Sequence, residues 1–349
     1  MNLKSFVLVS FLGASVWFTG CGVKVSSRSN LPASPPVSFS AATTSLSDDL
    51  SKESPPEVSG FSANSKPALA ISNANGRTYG AVINSSGDLT IAEASTIRSS
   101  LQNISRSVHT LGDLNQLLIY VSGMEFAEDG SRLFILETAK TNSSIHPNSG
   151  VVYTIDTLNG NKVTHFDLGS EVDLPMGIAY VSSAQEKLYF SSKSGGQGEV
   201  YEIDVAGGTP TLFTDGLEEP TGIATDGVFL YIYDIHGANA KIYRAPLEGN
   251  ARGIKEEFAG LAIKASPAAQ PMAISRQENF KSLFYVDGSS VKLLDLSKST
   301  SVDITATVTG VLTEGKLKEV SGIGYSSTDS VLFIGSIAEG KVIFGRASS

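Results

Sequence analysis

Cysteine is almost missing from this chain of 349 residues: Cys21 is the only one, so no disulfide can form within the chain. The four histidines, at positions 109, 146, 165 and 236, lack the spacing of a metal site. Clusters of lysine and arginine are also missing, and the formal net charge is −9. This charge argues against a nucleic-acid partner and against electrostatic binding to anionic lipid.

Catalytic sequence motifs are missing as well. The chain has no Gly-x-Ser-x-Gly, no Walker loop, no His-Glu-x-x-His and no cysteine pair. The motifs therefore predict no catalytic residue, no bound metal and no cofactor. Asp234 and His236 form an Asp-x-His pair at the end of a strand. A metal or acid–base role is the alternative there, and a loop histidine beside a structural acid is the favoured interpretation.

The N-terminal apolar run, "FVLVSFLGASVWFTG" at residues 6–20, is shorter than the roughly 20 residues of a membrane span. Behind Lys4 it has the form of a secretory signal peptide. It ends in "FTGCG", which resembles the lipobox of bacterial lipoproteins, with Phe18 replacing the usual leucine. The resemblance implies cleavage before Cys21 and lipidation of that residue. Gly22 in place of aspartate implies sorting to the outer membrane, and an ordinary signal peptide with a chance cysteine is the alternative.

Composition divides the chain into a signal peptide (1–20), a tether (21–56) and a folded domain (57–349). Most of the tether is rich in serine, proline, alanine and threonine, with little apolar periodicity. Such a segment buries too little apolar surface to offset the entropy lost on ordering, so we predict that it is disordered.

One phrase recurs along the folded domain, as in "EPTGIATDGVFLYIYD" at residues 219–234: a small-residue turn, a gap and an aliphatic or aromatic strand. The turn residues of successive copies are separated by 54, 45, 51 and 49 positions. They are Gly123, Gly177, Gly222, Ala273 and Gly322. A weaker copy lies at residues 66–94. A period near 50 residues made of four short strands is typical of a β-propeller.

We therefore predict an all-β, six-bladed β-propeller, with five or seven blades as the alternatives. Glycine suits the turn because the first strands of the sheets converge there and leave little room for a Cβ. The last copy ends soon after its third strand, "KVIFGR" at residues 341–346. Because an open sheet edge invites unwanted pairing, we expect residues 57–63 to supply the fourth strand.

The recurring phrase resembles the NHL, YWTD and gluconolactonase/SMP-30 propeller families over roughly residues 67–346. The last family is enzymatic, and the resemblance implies a central divalent cation held by Glu, Asn and Asp residues just before the turn glycine. In this chain those positions carry hydroxyl and thioether groups: Ser122, Met176, Thr221, Met272 and Ser321. A hard cation finds few of its preferred oxygen ligands there, which argues against lactonase chemistry.

These five residues and Glu125 are the candidate residues of a binding site in the central funnel of the ring. For Glu125 a solvated or turn-capping role is favoured, and for the two methionines core packing is favoured over ligand binding. The resemblance to YWTD repeats implies that recurring strand-end acids make structural hydrogen bonds between blades. These acids are Glu137, Asp234 and Asp287.

The favoured function is a lipid-anchored propeller of the bacterial envelope that binds a protein or a small ligand, or serves as a scaffold. Its expected partners are the membrane, through lipidated Cys21, and an envelope protein or small ligand on loops such as 140–150 and 258–270. The alternative is a gluconolactonase-like hydrolase whose metal is held by Glu125 and loop acids. A ligand sensor without catalysis is a third interpretation.

Overall fold

The computed structural model of the chain describes only part of the sequence. Contacts place all of this part in one compact unit, residues 37–349. The described residues are 38–40, 69–74, 77–83, 89–94, 107–109, 121–138, 150–156, 162–169, 172, 174–183, 185–194, 196–258, 260–266, 268, 270–277, 280–296, 300–303, 320–326, 331–336 and 341–348. Among these residues, none forms a helix that is long and apolar enough to cross a bilayer.

The described strands pair into antiparallel sheets, and all but the sheet that contains β1 are made of consecutive strands. Sheet I contains β2 (Leu69–Ala74), β3 (Arg77–Ile83), β4 (Leu89–Ala94) and β5 (Ser107–His109). Sheet II contains β6 (Val121–Phe126), β7 (Arg132–Glu137), β8 (Val151–Asp156) and β9 (Lys162–Asp167). Sheet III contains β10 (Pro175–Val181), β11 (Lys187–Ser194), β12 (Gln197–Asp204) and β13 (Thr211–Leu217).

The C-terminal half of the chain repeats this pattern. Sheet IV contains β14 (Pro220–Thr225), β15 (Phe229–His236), β16 (Asn239–Pro246) and two short outer strands, β17 (Glu256–Glu257) and β18 (Ile263–Lys264). Sheet V contains β19 (Met272–Gln277), β20 (Phe280–Asp287), β21 (Ser290–Asp295) and β22 (Thr300–Asp303). Sheet VI contains β23 (Val320–Ser326), β24 (Val331–Ser336), β25 (Lys341–Ser348) and β1 (Ser38–Ser40).

The first strands of the sheets surround a common axis. Strand β6 contacts β10, and the contacts continue through β14, β19 and β23 to β2, which in turn contacts β6. Each sheet therefore packs between two neighbours, which confirms the predicted all-β propeller architecture.

The hydrophobic core lies between neighbouring sheets. Phe134 of sheet II stacks on Tyr180 of sheet III, with ring centroids 5.5 Å apart. Tyr233 and Tyr285 belong to one cluster between sheets IV and V, and Phe284 joins sheet V to sheet VI. Because each of these strands is covered on both faces, its sequence is continuously apolar and aromatic instead of alternating with polar residues.

The outer edge of sheet VI is covered from the N-terminal side, as the sequence predicted, but by a different segment. Strand β1 pairs with β25, and Ser38 lies opposite Ser348. This strand lies within the segment assigned to the tether, whereas residues 57–63 are outside the described part of the chain. The strand that pairs with β25 is determined by which part of the chain reaches that edge. A strand of three residues has no local sequence pattern from which this pairing could be predicted.

Candidate functional site

The residue before the turn glycine is an extra residue in the strand. In sheets II, IV and VI the two residues that flank this position pair with consecutive residues of the second strand, so Ser122, Thr221 and Ser321 each form a β-bulge. In sheet III, Met176 and Gly177 together lie opposite Ser191. A bulge redirects a side chain and bends the strand, and bulges are common next to binding sites. We call the end of the propeller where these first strands begin the axial face.

The bulge glycines of sheets III and IV lie where a Cβ has no room. A Cβ on Gly177 would lie 2.9 Å from the carbonyl oxygen of Thr221, and one on Gly222 would lie 2.5 Å from the ring of Pro271. These contacts confirm the close approach predicted from the sequence. Sheet V is different, because Ala273 replaces the glycine there and the ladder of β19 and β20 runs without a bulge.

The structure places the candidate funnel residues in different surroundings. Ser122 and Met176 are partly exposed, and the Ser122 hydroxyl lies at 3.4 Å from the carbonyl oxygen of Leu136. The Thr221 side chain is buried, and its hydroxyl has no hydrogen-bond partner among the described residues. Met272 is buried in the apolar cluster between sheets IV and V, where it has a packing role.

The other two candidates lie near the bulges. Glu125 is partly buried in β6, two residues beyond Gly123 and opposite Phe134 of β7. Ser321 occupies the bulge of β23. The structure thus brings Ser122, Met176, Thr221 and Ser321 to equivalent positions in four sheets, and Met272 is the member that packs inward.

Gln270 is a functional candidate that the sequence analysis did not single out. Its side-chain amide donates a 2.7 Å hydrogen bond to the carbonyl oxygen of Met124. The backbone carbonyl oxygen of Gln270 accepts a hydrogen bond from the Ile323 amide, and Gln270 forms a parallel β-bridge with Gly322. Met124 belongs to sheet II and Gln270 precedes the first strand of sheet V, and these two sheets are not neighbours. This side chain therefore spans the axis.

Asp234 lies at the axial face of sheet IV, at the end of β15. Its carboxylate is fully buried and accepts hydrogen bonds from the backbone amides of Glu218 and Glu219, the shortest at 2.7 Å. These two residues lead into β14, so Asp234 holds the segment that joins sheets III and IV. Burial raises the pKa of the Asp234 carboxyl, and the two amides and His236 offset part of that rise.

His236 lies between two carboxylates. Its Nδ1 atom is 2.7 Å from a carboxylate oxygen of Glu218, and its Nε2 atom is 2.8 Å from an oxygen of Asp234. The Nε2–H direction is out of line with that oxygen, so the second contact is electrostatic rather than an aligned hydrogen bond. Since both ring nitrogens face carboxylates, the geometry favours a structural role over general acid–base chemistry.

The equivalent acid of sheet V has a related role. Asp287 accepts a 2.7 Å hydrogen bond from the backbone amide of Lys264, which belongs to β18 of sheet IV. In sheet II the hydroxyl of Tyr153 donates to Glu137 at 3.0 Å. The strand-end acids Asp234 and Asp287 thus bind the backbone that connects or adjoins neighbouring sheets, as the resemblance to YWTD repeats implied.

The insert at residues 258–270 is packed in part, and Gly260, Ala262 and Lys264 within it are exposed. Ile263 pairs with β16, and Ser266 and Ala268 are buried. Gln270 ends the insert at the axis. The other expected contact loop, residues 140–149, lies outside the described part of the chain.

The bulge positions and Gln270 supply neutral groups: the hydroxyls of Ser122 and Thr221, the thioether of Met176 and the amide of Gln270. The Asp234 carboxylate at the same face is engaged by backbone amides. Hard divalent cations prefer several carboxylate or carbonyl oxygens at one point. Within the described residues, no three His, Cys, Asp or Glu side chains come together in an arrangement that could hold a metal.

No protein-family model matches the chain, and no curated protein sequence matches it. Solved structures share its fold at low sequence identity. An auxiliary nutrient binding protein from Bacteroides thetaiotaomicron is 12% identical, with a TM-score of 0.53 over 83% of this chain and 70% of that chain. A putative phosphatase from the same organism is 11% identical, with a TM-score of 0.53 over 82% and 72% of the two chains.

A chain from a nidogen/laminin complex has the same general fold. It is 12% identical, with a TM-score of 0.50 over 76% of this chain and 91% of that chain. At these identities the likeness concerns the fold alone. The chain is therefore similar to β-propeller proteins.

Proposed function

We propose that the protein is a six-bladed β-propeller of the bacterial envelope, anchored by lipid on Cys21, that binds a partner at its axial face. The cyclic contacts of the first strands of sheets I–VI support the blade number. The pairing of β1 with β25 supports closure of the ring from the N-terminal side. The "FTGCG" motif supports the lipid anchor and, with Gly22 after it, the outer membrane.

The observation that carries the binding role is the repeated bulge. Backbone irregularity at one position disrupts the ladder in each of four sheets. The bulge side chains of Ser122 and Met176 are partly exposed there. Gln270 fills the axis beside them, so the ring offers a rigid end surface. Loops and strand ends on a rigid scaffold are where recognition is usually located. A binding role is also in keeping with the nutrient binding protein that shares the fold.

Site-specific photo-cross-linking tests the axial face. A photoreactive residue at Met176, in cells that carry the full chain, is expected to give a discrete adduct, because this partly exposed side chain lies in the bulge of β10. The matched control is Glu256 on outer strand β17, whose side chain is 68% exposed. We expect at least threefold more adduct at Met176. Equal yields at the two positions, or none at Met176, would contradict binding at the axial face.

The alternative function, a gluconolactonase-like hydrolase, requires a metal held by Glu125 and loop acids. The residues at the predicted ligand positions do not favour a metal site. Met272 packs into the core, and the bulge positions supply hydroxyls and a thioether. We expect EDTA to leave the melting temperature of the full chain unchanged within about 1 °C, because a metal bound only by the native state would raise stability by mass action. A fall of several degrees together with stoichiometric metal would favour the hydrolase.

A further inference from the structure

The hydroxyl of Thr221 is a buried polar group that the fold does not use. Only 4% of the residue is exposed, and its Oγ1 atom has no hydrogen-bond partner among the described residues. Thr225 in the same strand is also buried, but its hydroxyl donates to the carbonyl oxygen of Phe229 at 2.9 Å and accepts a bond from the Gly227 amide at 3.0 Å. A buried hydroxyl without a partner lowers stability, so such a group indicates a functional role.

Thr221 lies where the first strands of three sheets approach one another. Its carbonyl oxygen would be 2.9 Å from a Cβ on Gly177 of sheet III. On the other side, the ring of Pro271, which leads into sheet V, packs against Gly222. Gln270, the residue before Pro271, donates its side-chain amide across the axis to sheet II. The bulge of Thr221 is therefore at the axis, and the axis already accommodates one carboxamide, that of Gln270.

Leu174 is a second unusual residue at the axial face. It is the only non-glycine residue with a positive φ, 46°, in the described part of the chain, and it is 48% exposed. The left-handed conformation lowers stability for a leucine, and exposure gives little burial in return. Sheet II holds the next residue in place: the Thr138 hydroxyl donates to the carbonyl oxygen of Pro175 at 2.6 Å, and the Pro175 ring fills the space beside Gly150. Backbone strain at an exposed and firmly held residue indicates a contact site.

The charges near Thr221 favour an uncharged ligand group. The buried carboxylate of Asp234 lies opposite Pro220, the residue before Thr221. Two more acids, Glu218 and Glu219, lead into β14, and together these groups repel an anion. The Asp234 oxygens already accept amide bonds, and the described residues contain no cluster of side chains that could hold a metal. An amide suits the site, because it donates and accepts hydrogen bonds and a hydroxyl can do both.

We propose that the axial face binds a peptide segment of the partner, with a peptide amide hydrogen-bonded to the Thr221 hydroxyl and an apolar side chain against Leu174. This inference rests on the proposed function and names the chemistry of its partner. Because Gln270 fills the axis in the free chain, its side chain rotates away when the amide enters. Binding gives the Thr221 hydroxyl a hydrogen-bond partner, so the loss of stability caused by its burial is removed in the complex.

Saturation-transfer NMR on the purified full chain tests this site with small probes. N-acetyl-leucinamide has an apolar side chain and uncharged amides, and N-acetyl-leucine has a carboxylate in place of the primary amide. We expect stronger saturation transfer to the amide. Thr221→Val keeps the shape of the side chain without its hydroxyl and should raise the dissociation constant of the amide by about fivefold, whereas Thr221→Ser should leave it unchanged. Leu174→Asn, which tolerates the left-handed backbone, should raise the dissociation constant by about threefold.

The melting temperature distinguishes a hydroxyl that binds a ligand from one that supports the fold. Thr221→Val should leave the melting temperature unchanged or raise it, because the native state loses no hydrogen bond. Thr225→Val is the matched control in the same strand and should lower the melting temperature, because it removes two hydrogen bonds. If both variants lowered the melting temperature equally, the Thr221 hydroxyl would be structural and the proposal would be overturned.

The probe measurements and the cross-linking at Met176 separate this inference from the proposed function. No transfer to N-acetyl-leucinamide, or the same dissociation constant for the unaltered chain and Thr221→Val, would overturn the amide site even if an adduct forms at Met176. Stronger transfer to methyl glucoside than to the amide would overturn it as well and assign the hydroxyl to a sugar. Binding of the amide that Thr221→Val weakens, without an adduct in cells, would support the amide site and contradict the proposed envelope partner.

Discussion

Asp234→Ala is expected to lower the free energy of unfolding by about 3 kcal/mol, one of the two largest effects we predict for single substitutions. The Asp234 carboxylate is fully buried and satisfies the amides of Glu218 and Glu219. Alanine would leave both amides without an acceptor and would remove the buried carboxylate beside His236. For a chain of this size the melting temperature should fall by roughly 4–5 °C.

Two variants control for this result. Asp234→Asn keeps an oxygen acceptor for the amides and should cost less than the alanine variant. Asp287→Ala removes the equivalent acid of sheet V. Asp287 accepts one hydrogen bond from a backbone amide and is partly exposed, so this variant should lower the free energy of unfolding by about 1 kcal/mol. If Asp234→Ala and Asp287→Ala had equal melting temperatures, the role assigned to the buried carboxylate would be wrong.

Gly177→Ala is expected to cost about 2–3 kcal/mol, which thermal unfolding would detect as a fall of several degrees. The new Cβ would lie 2.9 Å from the carbonyl oxygen of Thr221 and 3.1 Å from the Cα atom of Gly222. Both atoms belong to the backbone of the neighbouring first strand, so no side-chain rotation relieves the contact. The two strands would have to separate, and that would disturb the packing of sheet III against sheet IV.

Gly196→Ala is the matched control for the loss of a glycine. Gly196 lies in the hairpin between β11 and β12 with φ +87°, and a Cβ there would meet no atom within 4 Å. Only the backbone strain of a left-handed residue remains, which costs about 1 kcal/mol. A Gly177→Ala variant as stable as Gly196→Ala would show that the first strands have room to move apart.

The expected losses of stability in Asp234→Ala and Gly177→Ala identify two features that stabilise the axial face. Asp234 fixes the segment that enters β14, and the glycines let the first strands approach one another at the bulges. Thr221 lies between these two features, and its buried hydroxyl has no partner among the described residues. A partner that binds at the axial face would therefore meet a preorganised surface, which lowers the entropy lost on binding.

Much of the fold could be predicted from the sequence because strand signals are local. Aromatic and β-branched runs such as "FLYIYDIH" at residues 229–236 form strands wherever both faces are covered, and glycine marks the close approach of backbones. The sequence also identified the bulge positions, because each of them precedes a turn glycine: Ser122, Met176, Thr221 and Ser321. It could not show that these residues form bulges, because a bulge is defined by the register of two strands.

The sequence by itself determined the all-β class, the period near 50 residues, the acidic charge and the positions of the turns, since each depends on neighbouring residues or on composition. Only the tertiary structure decided that Gln270 reaches Met124, 146 positions away, and that β1 rather than residues 57–63 covers β25. It also decided that Met272 packs inward. These outcomes depend on which sheets face each other once the first strands surround the axis, and such long-range geometry has no local sequence pattern.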